Sequence, residues 1–551
     1  MTHEVANQPP PLVEYDVFST DEALASGVAR FDGGWARGAL RELGRFAGSE
    51  QVIRWGFEAN AYEPVLRTHD RFGNRIDEVD FHPSWHRLME AAVSRGLHAA
   101  PWRAPKPGAH VARVAGFFVW SQVEAGHGCP ISMTHAAIPA LRLQSDVAAV
   151  WEPQLTSLVY DPGLRRLRSK RGALCGMAMT EKQGGSDVRT NTTRAEPLTA
   201  GGPGREYALT GHKWFCSAPM CDAFVVLAQA PEGLACFLLP RILPDGTRNT
   251  IHIQRLKQKL GNRSNASSEI EFERAQAWLI GEPGRGLQTI LEMVNYTRLD
   301  CVAGSAALMR QAVAQATHHA AHRSAFGKPL IDQPLMGNVL ADLAIESEAA
   351  TWLTLRLAAA CDRADFDPRE AALKRIGTAI GKFWVCKRAP ALVAEALECH
   401  GGNGYVEESI LPRLYRESPL NSIWEGSGNV IALDVLRALR REPGALAAFV
   451  DEVTPSSGAN RHFDAAFAGL QRELTDRAAI ESRARRIVER LALVLQAALL
   501  LQYAPTAIAD AFCTSRLGGD WGRTFGTLPP GIACETILKR AQPVMESSNR
   551  E

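Results

Sequence analysis

The chain has 551 residues, of which 46% are hydrophobic and 22% are charged, a composition typical of globular proteins. This length is too great for one ordinary core and predicts two to four domains. The formal net charge of +1 excludes a global attraction to nucleic acid, anionic membranes or acidic substrates, so any such binding requires a local patch.

The cysteines and the N-terminus predict a cytoplasmic protein that does not contact membranes. The eleven cysteines are an odd number and form no Cys-x-x-Cys pair, which argues against a disulfide framework and a zinc site. We interpret them as reduced thiols. The first residues lack the basic and apolar segments of a signal peptide. The longest apolar run, residues 491–501, is shorter than the roughly 20 residues that span a bilayer.

The first half of the chain changes in pattern from helix to strand. Residues 1–175 carry apolar side chains at helical spacing, as in residues 85–93, and predict an N-terminal helical domain. Residues 176–282 contain short apolar runs bounded by turn residues, and residues 268–273 alternate between polar and apolar. These features predict a small β-barrel or sandwich.

The second half is predicted to be helical again. Residues 283–443 contain long alanine-rich amphipathic stretches with short links, which are typical of an antiparallel bundle. Pro390 is expected to kink or break one of these helices. Residues 444–551 begin after a polar linker and predict an extra C-terminal helical domain, with one or two amphipathic helices within residues 463–501. The predicted fold class is therefore multi-domain α+β.

One carboxylate, Glu425, stands in a turn-like segment. It follows the bulky apolar residues Ile423 and Trp424 and precedes a run with two glycines, which let the backbone approach a ligand closely. Apolar surroundings tend to raise the pKa of a carboxylate, and a raised pKa suits a general base. The alternative is a glutamate that caps a helix beginning near Asn429.

Two groups of side chains on predicted helices are candidates for other ligands. His318 and His322 share a face at a spacing that suits a metal, but no third ligand stands nearby, so we predict no metal site. Residues 446–551 hold 12 Lys/Arg and 12 Asp/Glu, so a solvated helix face is the alternative to DNA binding for the arginines of the last domain. The candidate DNA contacts are Arg483, Arg485, Arg486 and Arg490.

Four blocks of the sequence resemble the acyl-CoA dehydrogenase family in their order and spacing: residues 179–187, 323–327, 398–404 and 421–429. No Rossmann or P-loop fingerprint occurs, so any dinucleotide is bound in another way. The resemblance implies helices, then a β-domain, then a four-helix bundle, with FAD as cofactor and a homotetramer as the assembly. It implies that FAD lies extended between the β-domain and the bundle, partly held by a neighbouring subunit.

The resemblance also implies which residues touch the ligands. The implied FAD contacts are Met179, Thr180, Gly185, Ser186, Phe215, Ser217, Arg323, Phe326, Glu398, Gly401, Gly402, Trp424, Ser427 and Asn429. Among them, Phe215 would pack on the flavin, and Arg323 and Phe326 would hold FAD across a subunit interface. The implied substrate contacts are Thr180, Ser186 and Arg298.

The implied reaction is α,β-dehydrogenation of an acyl thioester. Glu425 would remove the α-proton while a hydride passes from Cβ to the flavin, which supplies the difficult chemistry. Some members of the family place the base at the position of Thr297, and threonine is not a base at neutral pH. Three residues depart from the family pattern: Asn295 replaces an acidic residue at the CoA end, Ala325 replaces a polar residue, and Pro334 replaces a glutamine after the Phe-Gly-Lys motif. These departures bear on the binding of a CoA ester.

Further blocks at residues 81–86, 260–267 and 412–416, together with the C-terminal domain, resemble a branch of alkylation-response flavoproteins related to isovaleryl-CoA dehydrogenase. This resemblance implies weak dehydrogenase activity, double-stranded DNA binding through the C-terminal domain, and a role in the adaptive response to alkylation damage. The electron acceptor is unknown. The alternatives are an ordinary short- or branched-chain acyl-CoA dehydrogenase of catabolism, and a DNA-binding protein whose flavin is vestigial.

Overall fold

The computed structural model describes residues 2–476, 478–520 and 522–543. Its N-terminal region is mainly helical, as predicted, and also contains an antiparallel β-hairpin that the sequence did not predict. The elements of this region are α1 (Glu22–Arg30), α2 (Arg37–Ala47), α3 (Glu50–Ala61), β1 (Val65–His69), β2 (Arg75–Asp80), α4 (Pro83–Ser94), α5 (Ala100–Arg103), α6 (Ala109–Ser121), α7 (Gly128–Arg142) and α8 (Ser145–Leu155).

Local sequence explains where these helices begin. The side chain of Asp21 accepts a hydrogen bond from the Leu24 amide at 3.0 Å and so caps α1. Pro83 occupies the first turn of α4, where its missing amide hydrogen is not needed. Trp85 and Leu88 of α4 are almost completely buried, which accounts for the helical spacing of the apolar residues in this segment.

The predicted β-domain is a small closed barrel. Strands β4, β5, β9 and β7 follow one another, and β6 pairs with both β4 and β7, which closes the ring. Strand β3 pairs in parallel with β6, and β8 pairs with β9. The strands are β3 (Cys175–Ala178), β4 (Arg194–Pro197), β5 (Glu206–Ser217), β6 (Ala223–Ala230), β7 (Gly233–Pro240), β8 (Ile251–Leu256) and β9 (Ser267–Ile280).

Long helices follow the barrel, as predicted. The expected break at Pro390 does not occur, because α11 continues through this residue. Leu392 and Val393 are fully buried beside it, so packing outweighs a local cost of about 3 kcal/mol. The elements are α9 (Gly286–His322), β10 (Ser324–Ala325), β11 (Lys328–Pro329), α10 (Pro334–Arg363), α11 (Pro368–Glu398), α12 (Leu411–Glu417) and α13 (Gly428–Arg441).

The C-terminal extension is helical, and residues 463–501 form two helices rather than one. Most of the apolar run of α16 is buried, and α16 packs against both α10 and α11. Within the described ranges, no helix is long and apolar enough to cross a membrane. The helices are α14 (Pro443–Val453), α15 (Arg461–Thr475), α16 (Ala484–Tyr503), α17 (Thr506–Phe512) and α18 (Cys534–Ala541), and residues 544–551 lie outside the described residues.

The chain divides into two compact units, each made of several segments. The helical unit comprises residues 1–53, 106–123 and 298–551, and the barrel unit comprises residues 54–105 and 124–297. In the helical unit, α10 packs against α1, α6, α11, α16 and α18, and α11 packs against α13, α14 and α16. In the barrel unit, α7 packs against β3, α4 and α8. All eleven cysteines are free thiols, and ten of them are buried.

Candidate active site

A buried ion pair fixes one edge of the barrel. Lys213 of β5 and Glu181, which follows β3, have fully buried side chains, and Lys213 Nζ lies 2.9 Å from Glu181 Oε1. The Thr192 and Thr193 amides also donate to Glu181, at 2.6 and 3.1 Å. Although burial alone would raise the pKa of Glu181, Lys213 and these donors hold it well below its usual range. Burial lowers the pKa of Lys213 to about 8, against the opposing effect of Glu181.

This edge carries the predicted flavin contacts at Met179 and Thr180. The Thr180 carbonyl oxygen accepts a hydrogen bond from the Trp214 amide at 2.9 Å, which joins the end of β3 to β5. Gly185 lies against the Thr180 side chain, since a Cβ at this position would lie 2.5 Å from Thr180 Oγ1. Met179 and Thr180 are half-buried, and Gly185 and Ser186 are exposed. The structure therefore brings Thr180 and Gly185 together and leaves Ser186 accessible.

Phe215 and Ser217, at the end of β5, also present polar and aromatic groups to solvent. The Phe215 side chain is 54% exposed, and Lys257 Nζ lies 4.6 Å from its ring centroid. Ser217 is half-buried, and its Oγ lies 3.1 Å from Ser267 Oγ on β9. An exposed phenylalanine on a barrel strand is a surface that a planar ligand would cover.

In the helical unit, Glu425 lies in a strained turn between Trp424 and α13. Its φ of +58° is in the left-handed region, which non-glycine residues seldom adopt and which is enriched at functional sites. Trp424 Nε1 donates to Asn421 Oδ1 at 2.9 Å, and Asn421 in turn contacts Ser305 on α9. The Glu425 side chain is half-buried. The cap residue of α13 is Ser427, so the alternative in which Glu425 is the helix cap is wrong.

Two cations hold the backbone carbonyl groups of Glu425 and of the residue that follows it. Arg298 Nε donates to the Glu425 carbonyl oxygen at 3.0 Å, and its Nη1 lies 2.8 Å from Asp434 Oδ2. Lys382, whose side chain is fully buried, donates to the carbonyl oxygen of Gly426. Asp434 also accepts from Arg375 at 2.8 Å, and these arginines hold its pKa below the usual range against the effect of burial. The ionised carboxylate of Asp434 therefore holds the Arg298 guanidinium in place.

Arg298 therefore has a positioning role that the sequence did not suggest, and its predicted contact with substrate stays a prediction. Lys382, Asp434, Glu181 and Lys213 were also missed as functional residues. The signal for Lys213 is a lysine within a strand whose neighbours are apolar or aromatic. No comparable signal marks Lys382 or Asp434, because their partners, Gly426 and Arg298, are far from them along the chain.

The remaining predicted FAD contacts lie on the surface of the helical unit. Phe326 is 98% exposed at the tip of the β10–β11 hairpin, and Arg323 is half-buried and donates to the carbonyl oxygen of Asn7. Glu398 ends α11 and is exposed, and Gly401 and Gly402 follow it with no heavy atom within 4 Å of an added Cβ. The open space around these glycines leaves room for a ligand.

The two histidines that share a helical face, His318 and His322, hydrogen-bond to backbone carbonyl groups. His318 Nε2 lies 2.9 Å from the Pro10 carbonyl oxygen, and His322 Nδ1 lies 2.8 Å from the His318 carbonyl oxygen. Among the described residues, no group of three or more His, Cys, Asp or Glu side chains is arranged to hold a metal ion.

The predicted DNA contacts do not form one free basic face. Arg483, Arg486 and Arg490 converge on Glu473 of α15, whose side chain is 9% exposed. Arg483 also lies 3.1 Å from Asp476. Arg485 points elsewhere, with Nη1 3.4 Å from Asn429 Oδ1. The Arg485 side chain therefore lies apart from the other three, and DNA contact by these four arginines stays a prediction.

Family models match most of the chain. The adaptive response protein AidB N-terminal domain matches residues 7–162. The acyl-CoA dehydrogenase middle domain matches residues 176–275, and the acyl-CoA dehydrogenase C-terminal domain matches residues 284–440. The resemblance inferred from the four sequence blocks is therefore confirmed, and so is the fold class that it implied.

Individual proteins agree with the family models. AidB of Escherichia coli (strain K12) is 48% identical over 515 residues, which are 93% of this chain and 94% of that protein. The solved structure of Caenorhabditis elegans ACDH-11 in complex with C11-CoA has a TM-score of 0.85 at 26% identity, covering 98% of this chain and 94% of the other.

A third comparison concerns the cofactor of the fold. The acyl-CoA dehydrogenase of Bacillus anthracis complexed with FAD has a TM-score of 0.61 at 17% identity, covering 95% of this chain and 84% of the other. This likeness alone shows only a shared fold, whereas the identity to AidB over nearly the whole of both chains shows kinship. The chain belongs to the acyl-CoA dehydrogenase family of FAD-dependent oxidoreductases, in the branch that includes AidB.

Proposed function

We propose that the chain binds FAD and dehydrogenates an acyl thioester between Cα and Cβ, with Glu425 as the base. The observation that carries this proposal is the geometry of the Glu425 turn. A carboxylate at left-handed φ, with Arg298 and Lys382 on the carbonyl groups of residues 425 and 426, is held in one conformation at a local cost of about 1–3 kcal/mol. Such a strained residue is typical of a catalytic group.

The residues present fit FAD. The barrel edge offers the half-buried Thr180 and Ser217 hydroxyls and the exposed Phe215 ring, which suit the polar and planar parts of a flavin. Lys382, Lys387 and Arg485 surround residues 426–429 and suit a diphosphate. Phe326, Gly401 and Gly402 offer an exposed ring and open space, as an adenosine requires.

The protein side chains would perform the proton chemistry and the positioning. Glu425 would take the α-proton of the thioester, and Arg298 would keep that carboxylate aimed by holding its peptide group. FAD, when bound, supplies a hydride acceptor. Ser186, exposed beside Thr180 and Gly185, and Thr180 itself are the proposed contacts of the thioester.

An acyl-CoA is the proposed substrate class. ACDH-11, a structural relative of this chain, has been solved with C11-CoA. The departures at Asn295, Ala325 and Pro334 indicate that this chain binds the CoA portion differently from catabolic members, which agrees with weak activity.

The proposal is tested by anaerobic titration of the full-length flavoprotein with isovaleryl-CoA and other short acyl-CoAs, while the flavin absorbance is followed. Slow but complete bleaching by a thioester supports it, and the corresponding free acids serve as the control. Fast bleaching by one thioester would favour an ordinary catabolic dehydrogenase. A firmly bound flavin that no thioester bleaches would contradict the enzymatic role and favour the vestigial flavin.

DNA binding in the adaptive response to alkylation damage is the second part of the proposal, supported by the similarity to AidB. Because Arg483, Arg486 and Arg490 pair with Glu473, duplex binding would require phosphates to compete with this carboxylate. Arg483→Ala with Arg486→Ala should then weaken duplex binding and reduce its salt slope by about two. Glu473→Gln should strengthen duplex binding. Unchanged affinity in both variants would refute a role for these arginines.

Truncation of the C-terminal extension is a poor test of DNA binding, because α16 packs against α10 and α11 and its removal would expose their apolar faces. We further propose a homotetramer in the cytoplasm, since the family resemblance assigns Arg323 and Phe326 to the FAD of a neighbouring subunit. The near-complete exposure of Phe326 supports an intersubunit role. Light scattering of the flavoprotein tests the assembly, and a monomer that binds FAD fully would contradict it.

A further inference from the structure

Three cations surround the segment that leads from Glu425 into α13. Lys382 donates to the Gly426 carbonyl oxygen. The Lys387 ammonium lies against Gly428, where an added Cβ would be 2.6 Å from Nζ. Arg485, from α16 of the C-terminal extension, lies with Nη1 3.4 Å from Asn429 Oδ1. The chain thus brings positive charge from two helices, α11 and α16, to the first turn of α13.

The aromatic ring of Phe383 makes cation–π contacts with two of these cations. The Lys387 ammonium lies 5.5 Å from the centroid of the Phe383 ring, and the Arg485 guanidinium lies 5.9 Å from the same centroid. Contacts of this kind hold a cation in place while leaving its hydrogens free for an anion. Within the described ranges, the side chain of Lys387 makes one hydrogen bond, a long one of 3.4 Å to Ser422 Oγ.

Among the described residues the three cations are not ion-paired, and the carboxylate closest to residues 426–429 along the chain is that of Glu425 itself. In the part of the chain that the structure describes, none of the three side chains has a carboxylate at ion-pair distance. The nearby carboxylate of α13, Asp434, is already paired with Arg298 and Arg375. Burial, together with Arg485 and Lys382, lowers the pKa of Lys387, which is the effect expected where like charges meet without an anion. The amide groups at the start of the 14-residue helix α13 add to the positive potential.

Of the four arginines predicted to contact DNA, Arg485 is the one that does not pair with Glu473. Arg483, Arg486 and Arg490 are paired with Glu473, whereas Arg485 leaves that group and reaches Asn429. Arg485 also lies beyond the match to the acyl-CoA dehydrogenase C-terminal domain, which ends at residue 440. The shared family fold therefore does not supply this cation.

We propose that Arg485 and Lys387 bind the diphosphate of the dinucleotide cofactor, so that the C-terminal extension is part of the cofactor site. The inference rests on the proposed function, because it takes FAD as the source of the diphosphate. A guanidinium and an ammonium beside the first turn of α13 suit the several oxygens of a diphosphate better than the two of a carboxylate. The extension would then help to retain FAD rather than act only in assembly or DNA binding.

The test compares Arg485→Gln and Lys387→Gln with Arg486→Gln in the full-length protein. Arg486 is the matched control, because it is adjacent in sequence and is exposed, but is paired with Glu473. We expect the FAD dissociation constant to rise about tenfold in each test variant, as for the loss of a hydrogen bond to a charged group, and to stay unchanged in the control. Riboflavin, which carries no phosphate, should bind all four proteins equally.

A second measurement uses the deflavinated protein and pyrophosphate as the probe. Pyrophosphate should raise the melting temperature of the wild type and of Arg486→Gln, and the shift should be lost in Arg485→Gln. Equal FAD affinity and equal pyrophosphate shifts in all variants would overturn the inference. If Arg485→Gln or Lys387→Gln loses affinity for CoA or duplex DNA, but not for FAD, the inference is also overturned, because the cations then bind another phosphate. A wild type that binds no FAD would instead refute the proposed function.

Discussion

Replacing Lys213 by methionine tests whether the buried ion pair holds the barrel edge that carries Thr180 and Phe215. Lys213 and Glu181 are fully buried, with Nζ and Oε1 2.9 Å apart. The substitution leaves the Glu181 carboxylate buried without its cation. Removing one partner of such a pair costs about 3–5 kcal/mol. The Thr192 and Thr193 amides still donate to the carboxylate, so we expect the free energy of unfolding to fall by about 3 kcal/mol, at the lower end of that range.

The assay is urea-induced unfolding of the full-length protein, with FAD affinity as a second readout. The double variant Glu181→Gln/Lys213→Met should recover most of the lost stability, because it removes the unpaired charge together with its partner. Lys539→Met is the matched control, since Lys539 pairs with Glu535 on the surface, where both side chains are mostly exposed. A Lys213→Met protein that unfolds like this control, or a double variant less stable than either single one, would refute the reasoning.

Three further predictions concern acid stability, the Glu425 turn and the flavin edge. Burial lowers the pKa of His110 to about 3. Below about pH 6.5 the imidazole therefore binds a proton in the unfolded chain but not in the folded protein. This difference lowers the free energy of unfolding by about 2 kcal/mol at about pH 5. His110→Gln should lack that part of the pH dependence in urea unfolding, and an equally steep dependence would contradict this. Arg298→Gln should slow flavin reduction by acyl-CoA at least about tenfold with little change in KM, whereas a rise in KM alone would indicate a substrate contact. Gly185→Ala places a methyl group 2.5 Å from Thr180 Oγ1 and should weaken FAD binding about tenfold by fluorescence titration, and unchanged affinity would show that this contact yields easily.

The long helices and barrel strands were predictable because their apolar residues recur at the spacing of the element. The β1–β2 hairpin was not, since residues 65–69 alternate only between exposed and half-buried positions and carry no apolar stripe. Pro390 does not break α11, because tertiary packing of this helix outweighs the local effect of proline, and the kink that was the other expectation stays a prediction. The local sequence pattern therefore predicted the elements that bury one face, and it did not predict features that depend on packing against distant parts of the chain.

The candidate site shows the same division. Short sequence blocks identified Glu425 as the candidate base, but the residues that hold its turn are 127 positions away at Arg298 and 44 positions from Gly426 at Lys382. No local pattern encodes such partners. Arg483, Arg486 and Arg490 were candidate DNA contacts because the sequence does not reveal that all three pair with Glu473 of α15.

The most direct test of the account is the rate of flavin bleaching by an acyl-CoA in the Glu425→Gln protein under anaerobic conditions. Glutamine keeps the shape of the side chain and cannot accept the α-proton, so FAD should stay bound while the bleaching rate falls about 10²–10⁴-fold. The bleaching rate of Glu425→Asp should lie between those of the wild type and Glu425→Gln. Bleaching of Glu425→Gln at the wild-type rate would contradict the assignment of Glu425 as the base.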